Sequence, residues 1–368
     1  MDMTTIRHKS VEILENLGKV RSLPHENHAE KELLWEKIVR DMKALPKAKP
    51  GLRVVYASSL QRASATAELA ALTANNLPEI QFTGAIREIQ IGQELDPELV
   101  AAAENILMDA TDRAEAVERL RQLFAHHKVA APVEDTLENR KMLTNPKGVF
   151  EGGDSIQGYT TRIIKGYMAT LTHAVEGGTR TIEDIFVAME EPSDAFIDQV
   201  FAIQNALLHT PDEPFTMHNP QAPYPAMAHL CQILAGHRVV FVRHGDTNFS
   251  KQKIWTGGNV DTKLAPEGKD AAVETGIILK LYNKTHPNDV RIIQIFGHSQ
   301  SSAIVEAAIC AAWPKVINRS TGLYKVGEPH ILDFAPDGIL TITPVSRQSL
   351  HDELQQDLAD TMLDTLSI

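Results

Sequence analysis

The sequence predicts an α/β protein of three layers, in which a mostly parallel central sheet is flanked by helices and carries helical insertions. Three observations lead there. Val239 to Val242, a β-branched and aromatic run between Gly236 and Gly245, reads as a short buried strand. Val290 to Phe296 repeats the device, and Leu52 to Ala57 does so a third time. A helical pattern follows each run, the alternation from which parallel sheets are built. Two of the strands also end alike, in Arg243-His244 and His298, while Ser58-Ser59 reads as a helix cap after the third, and the carboxyl edge of such a sheet is where ligands sit.

Composition narrows the function. The 368 residues are 43% hydrophobic and 23% charged, which suits a sizeable core. A net charge of −12 argues against broad nucleic-acid binding but leaves room for one positive pocket made by converging arginines. No apolar run has the length of a membrane span, and Met1 to Thr5 lack the basic, apolar character of an export signal. A cytoplasmic location is the expectation. Cys231 and Cys310 lie in apolar surroundings that suggest buried thiols.

Along the chain, Thr4-Thr5-Ile6 reads as a β-like start before Arg7-His8-Lys9. Leu33, Leu34, Ile38, Met42 and Leu45 then fall at helical spacing, and Pro46 ends the pattern. Arg62 opens the helix after Ser58-Ser59, beside backbone N–H groups that favour an anion. Glu88 lies among Ile86, Ile89 and Ile91, where desolvation would raise its pKa and suit it to act as an acid. Taken singly, Arg62 reads as an exposed helix arginine, Glu88 as a solvated carboxylate beside Arg87, and His298 as a structural histidine. Residues 95–150 and 170–235 read as helical insertions or a cap on a single domain spanning 1–368, with a proline-rich connection at 210–225. Asp154-Ser155 caps a helix that carries Arg162. Pro336-Asp337-Gly338 marks a hairpin, and Leu350 to Leu366 an acidic amphipathic helix.

Six segments together resemble the histidine phosphatase superfamily, which includes phosphoglycerate mutases. Val239 to Thr247 is similar to its Arg-His-Gly signature, and Asp261 to Gly268 to the helix start that follows, with Ala265 in place of a threonine. Tyr56 to Glu68 is similar to its serine-leucine-arginine segment. Ile86 to Gly92 resembles the stretch holding its acid, Gly153-Asp154-Ser155 its Gly-Glu-Ser turn, and Gly297-His298 its second histidine. The order departs from the family, since the middle segments here precede Arg243-His244-Gly245, and a simple shift of the chain ends does not produce that order. An alternative register makes Ile6-Arg7-His8 the signature, though Lys9 then replaces the glycine. Two degenerate tandem modules sharing one site are a third arrangement.

The resemblance implies that His244 is a nucleophile forming a phosphohistidine, that Arg243, Arg62 and Thr247 bind the phosphoryl oxygens, and that His298 joins that clamp. It implies Glu88 as the acid that protonates the leaving oxygen. It calls for no cofactor, and no convincing metal-ligand spacing is visible. The expectation is a metal-independent phosphatase acting on a small phosphomonoester or a phosphoprotein, with no nucleic-acid partner. A mutase-like phosphotransferase is the alternative within the family, and a catalytically weak phospholigand-binding or partner-binding protein the alternative outside it.

Overall fold

A computed structural model describes residues 1–24, 27–46, 53–73, 79–91, 95–127, 133–134, 153–209, 215–218, 224–286, 290–320 and 324–366. The strands among them are β1 (Arg53–Ser58), β2 (Ile80–Thr83), β3 (Val133–Glu134), β4 (Phe215–His218), β5 (His237–Arg243), β6 (Ile254–Trp255), β7 (Arg291–Gly297), β8 (Lys315–Asn318), β9 (His330–Phe334) and β10 (Ile339–Pro344). Eight of them form one sheet in the order β2-β1-β7-β5-β9-β10-β8-β4, and β3 pairs separately with β6. Strands β2, β1, β7 and β5 run parallel, in the registers Val55↔Ile80, Tyr56↔Ile295 and Val242↔Phe296.

The sheet is mixed, which corrects the expectation of a mostly parallel one. Gly338, at φ 83°, closes the β9–β10 turn in a conformation that favours glycine, with its N–H on the Ala335 carbonyl. A hairpin must return antiparallel, and β9 also runs antiparallel to β5, with Phe241 opposite His330. At the far edge β4 lies antiparallel to β8.

The helices are α1 (Met3–Ser22), α2 (His28–Ala44), α3 (Gln61–Thr73), α4 (Pro97–Asp109), α5 (Arg113–His126), α6 (Ile156–Glu176), α7 (Ile182–Ala188), α8 (Asp194–His209), α9 (Pro225–Leu234), α10 (Asn248–Lys251), α11 (Pro266–Thr285), α12 (Ser299–Ala312) and α13 (Arg347–Leu366). Strand alternation sorts them into two layers, because successive side chains point to opposite faces. Val239 and Phe241 of β5 face a core shared with α6, α7, α8, α9 and α12. Val240 and Val242 face the other core, with α1, α2, α3, α11 and α13. A smaller third core joins α4 and α5 to Phe249, Ile254 and Val260. No helix among the described residues is long and apolar enough to cross a membrane.

The amino terminus also departs from expectation, since Thr4-Thr5-Ile6 is helical. The Asp2 carboxylate accepts from the Thr5 N–H at 2.8 Å, capping α1, and Ile6, Ser10, Ile13, Leu14 and Leu17 form its buried stripe. The helix predicted to follow is α2, in which Ile38 and Met42 are buried while Leu33 is exposed. Cys231 and Cys310 are buried and free. The Pro336-Asp337-Gly338 hairpin forms as the sequence suggests. Positions 210–214 and 219–223 of the proline-rich connection, and 128–132 and 135–150 of the first insertion, lie outside the described residues.

Helices α3 and α11 meet at Gly276, where a Cβ would lie 2.4 Å from the Ala70 carbonyl oxygen. Alanine in a helix interior ordinarily gains about 1 kcal/mol over glycine. Overpacking costs about 1–3 kcal/mol, so Gly276→Ala is expected to lower stability in urea unfolding. A raised unfolding midpoint would show slack at this crossing.

Candidate active site

Three parallel strands deliver the candidate residues to one edge of the sheet. Ser58 ends β1, Arg243-His244 end β5, and Gly297-His298 end β7, with Arg243 opposite Gly297 in the register. The His244 N–H donates to the Gly297 carbonyl at 3.0 Å, and the two imidazole rings lie 5.2 Å apart.

His244 has a defined tautomer. Its Nδ1 lies 2.7 Å from the Gly245 carbonyl oxygen, an acceptor only, so Nδ1 carries the proton. The Nε2 lone pair then accepts from Arg62 Nε at 3.3 Å. Burial first, then the Arg62 and Arg243 cations, hold its pKa well below the usual imidazole value, so the ring is neutral near pH 7. Gly245 permits this placement, for a Cβ there would sit 2.2 Å from the Gly268 carbonyl oxygen. The Gly245 N–H donates to Thr66 Oγ1 at 3.0 Å, fastening the signature turn to α3.

Arg62 is 1% exposed, not the solvated helix arginine its local sequence suggests. Its Nη1 donates to the Val260 carbonyl at 2.9 Å and its Nη2 to the Gly257 carbonyl at 2.7 Å. Burial lowers its pKa to about 10, against the opposing pull of Glu88 and Asp261. The guanidinium therefore remains charged at neutral pH. Asp261 itself caps α3, accepting from the Gln61 N–H at 2.7 Å.

His298 is fully buried, with Nε2 3.0 Å from Ser58 Oγ. Its Nδ1 has no hydrogen bond and lies 3.6 Å from Glu88 Oε2. Burial, reinforced by Arg62 and His244, keeps this imidazole neutral as well. Glu88 accepts from the Tyr159 hydroxyl at 2.9 Å, and burial raises its carboxyl pKa although Arg62 opposes the shift. Its side chain is 14% exposed, so the acid stands against His298 within the cluster. Arg162 fixes the backbone beneath it, donating to the Arg87 and Glu88 carbonyls at 3.1 and 3.3 Å. Asp154 adds a second hold, accepting from the Gln90 N–H at 3.1 Å and pairing with Arg162 at 3.3 Å.

Arg243 is 26% exposed and donates through Nη1 to the Tyr324 carbonyl at 3.2 Å. The Thr247 hydroxyl is engaged as the cap of α10, accepting from the Ser250 N–H at 3.1 Å. His8 is exposed on α1, and Arg7 pairs with Asp357 at 3.0 Å, so no strand carries the alternative signature. Gly92, the end of the acid-bearing stretch, lies outside the described residues.

Ser58, Tyr159 and Tyr324 escaped the sequence reading. Ser58 sits at a strand end beside the arginine segment and reads locally as a cap. Tyr159 follows the Ser155 cap by one helical turn, a spacing that carries no chemical signal alone. Among the described residues no group of three or more His, Cys, Asp or Glu side chains could hold a metal ion. The cluster combines a neutral imidazole nitrogen, two arginines, a second neutral imidazole and a carboxyl of raised pKa. Groups of these kinds can bind an anion and can carry nucleophilic and acid–base chemistry on it.

No family model matches the chain, and no solved structure matches it. A stretch of 44 residues, 12% of the chain, is 43% identical to the 2,3-bisphosphoglycerate-dependent phosphoglycerate mutase of Borreliella burgdorferi and 41% identical to that of Borreliella afzelii. The match spans 17% of those relatives' length.

The two buried neutral histidines tie stability to pH. Unfolded, each binds a proton near 6.5, whereas the folded rings do so only well below that value. Folding stability is therefore lost as pH falls through 6.5, by about 1.4 kcal/mol per unit for each ring. The fall in urea-unfolding stability between pH 7.5 and 5.5 is expected to shrink by about this amount in His298→Asn. An unchanged fall would mean that His298 is protonated in the folded protein.

Proposed function

We propose that the chain is a phosphoryl-transfer enzyme that hydrolyses a phosphomonoester through a phosphohistidine, without a metal ion. The observation that carries the proposal is the His244 tautomer: Nδ1–H is tied to the Gly245 carbonyl, and the Nε2 lone pair lies among the site's cations. In this reading Nε2 attacks phosphorus while the bond to the ester oxygen breaks. Glu88, whose pKa burial raises, acts in its protonated form as the acid that gives a proton to that leaving oxygen. Water then attacks the phosphohistidine, the Glu88 carboxylate takes a proton from it, and phosphate leaves with His244 restored. As Nε2 turns its lone pair to phosphorus, the Arg62 Nε–H releases His244 and donates its hydrogen bond to a phosphoryl oxygen instead. Arg243 supplies the more open cation, and His298 meets the charge that spreads over the equatorial oxygens. Thr247 orders the signature turn through its cap.

A mutase-type transfer is the second reading, favoured by the short similarity to two phosphoglycerate mutases. The two readings separate on the acceptor, water in one and a second hydroxyl in the other. Residues 97–126 and 182–209, which sit outside the parallel strands, are where substrate preference would reside. In either case the reaction occupies one α/β domain whose motif order is rearranged.

Phosphate release from an aryl phosphate is expected in the presence of chelator. It should fall at least about 10³-fold in His244→Ala and about 10²- to 10⁴-fold in Glu88→Gln, while His8→Ala retains wild-type turnover. Rapid acid-free quenching should trap an acid-labile phosphoenzyme in wild type and none in His244→Ala. Turnover abolished by chelator, or surviving His244→Ala, would sink the mechanism. If phosphate appears only when a second hydroxyl compound is phosphorylated first, the mutase reading replaces the hydrolytic one.

A further inference from the structure

A second buried cluster lies behind the site. Glu306, in the middle of α12, is fully buried and accepts from four side chains on other parts of the chain. These are Asn318 Nδ2 at 2.8 Å, Ser320 Oγ, Tyr324 Oη at 2.5 Å and His330 Nδ1 at 2.9 Å. Burial alone would push this carboxyl up, yet the His330 imidazole and the hydrogen bonds hold it below the ordinary glutamate value, so it is ionised. His330, itself fully buried on β9, stacks its ring on Tyr324 at 3.7 Å between centroids.

A buried charge of this kind is a poor way to gain stability, since apolar packing of equal volume often does as well. Its constraint on geometry is more telling. The carboxylate gathers the end of β8, the segment after it and the start of β9 onto one helix, and it holds Tyr324 from two directions. The Tyr324 hydroxyl is fixed by Glu306 and its ring by His330, while its main-chain carbonyl faces the other way. That carbonyl accepts from Arg243 Nη1 at 3.2 Å and from Ser299 Oγ at 3.4 Å.

We propose that Glu306, His330 and Tyr324 form a positioning relay that sets the rotamer of Arg243 and thereby the site's grip on a phosphoryl group. The relay rests on the phosphate-binding role of Arg243 in the reading above. Glu306 and His330 touch no reacting atom and act only through Tyr324. An arginine side chain loses much rotamer freedom when it binds an anion, and a fixed carbonyl on Nη1 removes part of that loss before substrate arrives.

A double-mutant cycle tests the relay, with inorganic phosphate affinity by calorimetry and the KM and kcat for an aryl phosphate as readouts. Glu306→Gln and Tyr324→Phe are each expected to weaken phosphate binding and raise KM by about tenfold, one charge-assisted hydrogen bond's worth, with kcat changed much less. In the Arg243→Ala background neither should have a further effect. Tyr324→Phe keeps the ring on His330 and removes only the hydroxyl, so it serves even if Glu306→Gln fails to fold. Effects that multiply with Arg243→Ala, or a folded Tyr324→Phe with wild-type phosphate affinity and KM, overturn the relay and leave the phosphatase reading standing. A wild-type protein that binds no phosphate overturns both.

Discussion

Arg62 is the constraint on which the site depends. Its three hydrogen bonds go to two main-chain carbonyls and an imidazole, and none goes to a carboxylate. A buried guanidinium pays several kcal/mol in lost hydration. Each charge-assisted hydrogen bond returns only about 1.5–3 kcal/mol. The arrangement persists because the same three bonds join α3, the 257–260 loop and the end of β5 into one body. It also leaves the guanidinium without a carboxylate hydrogen-bond partner, although Glu88 and Asp261 act on its charge from nearby.

The surroundings serve that cation and its imidazole neighbour. Gly257 and Gly258 let the loop lie against the acid-bearing stretch, since a Cβ on either would stand 2.6 Å from the Ile89 or Glu88 carbonyl oxygen. The Gly258 N–H donates to the Ile89 carbonyl, and the Leu95 N–H to the Asn259 carbonyl. Glu88 and Arg62 are thus held from opposite sides of a single loop, and the acid's position follows from the same contacts that bury the cation. Tyr159, Arg162 and Asp154 complete the hold from α6 and its cap.

Much of this was legible in the residues. Buried strands ending in Arg243-His244 and Gly297-His298 announce both their period and their polar ends, and both lie where the sequence places them. What local pattern could not carry was which of several open contacts each residue makes. Thr4-Thr5-Ile6 has β-branched residues, yet one Asp2 cap and a helical stripe decide for helix. The sheet's mixed character follows from where the β9–β10 hairpin docks, and strand composition does not encode docking. Thr247 keeps its place just after β5, and the cap its hydroxyl gives the Ser250 N–H is a contact its neighbours do not announce. Glu306 sits in an alanine-rich helix whose pattern says only that it is buried, and its partners are up to 24 residues away.

The two bonds that complete the cluster span much of the chain, with His298 and Ser58 separated by 240 residues and Arg62 and His244 by 182. Closing such loops costs entropy that grows only slowly with length, but contacts of this range form late. Because β7 lies between β1 and β5, the central sheet is incomplete until residue 297 has been synthesised. During growth from the ribosome, the early segment carries the arginine and the acid, and the later one carries both histidines. Chain order therefore makes this cluster a late-closing part of the sheet, since a partly made chain holds its arginine and its two histidines apart.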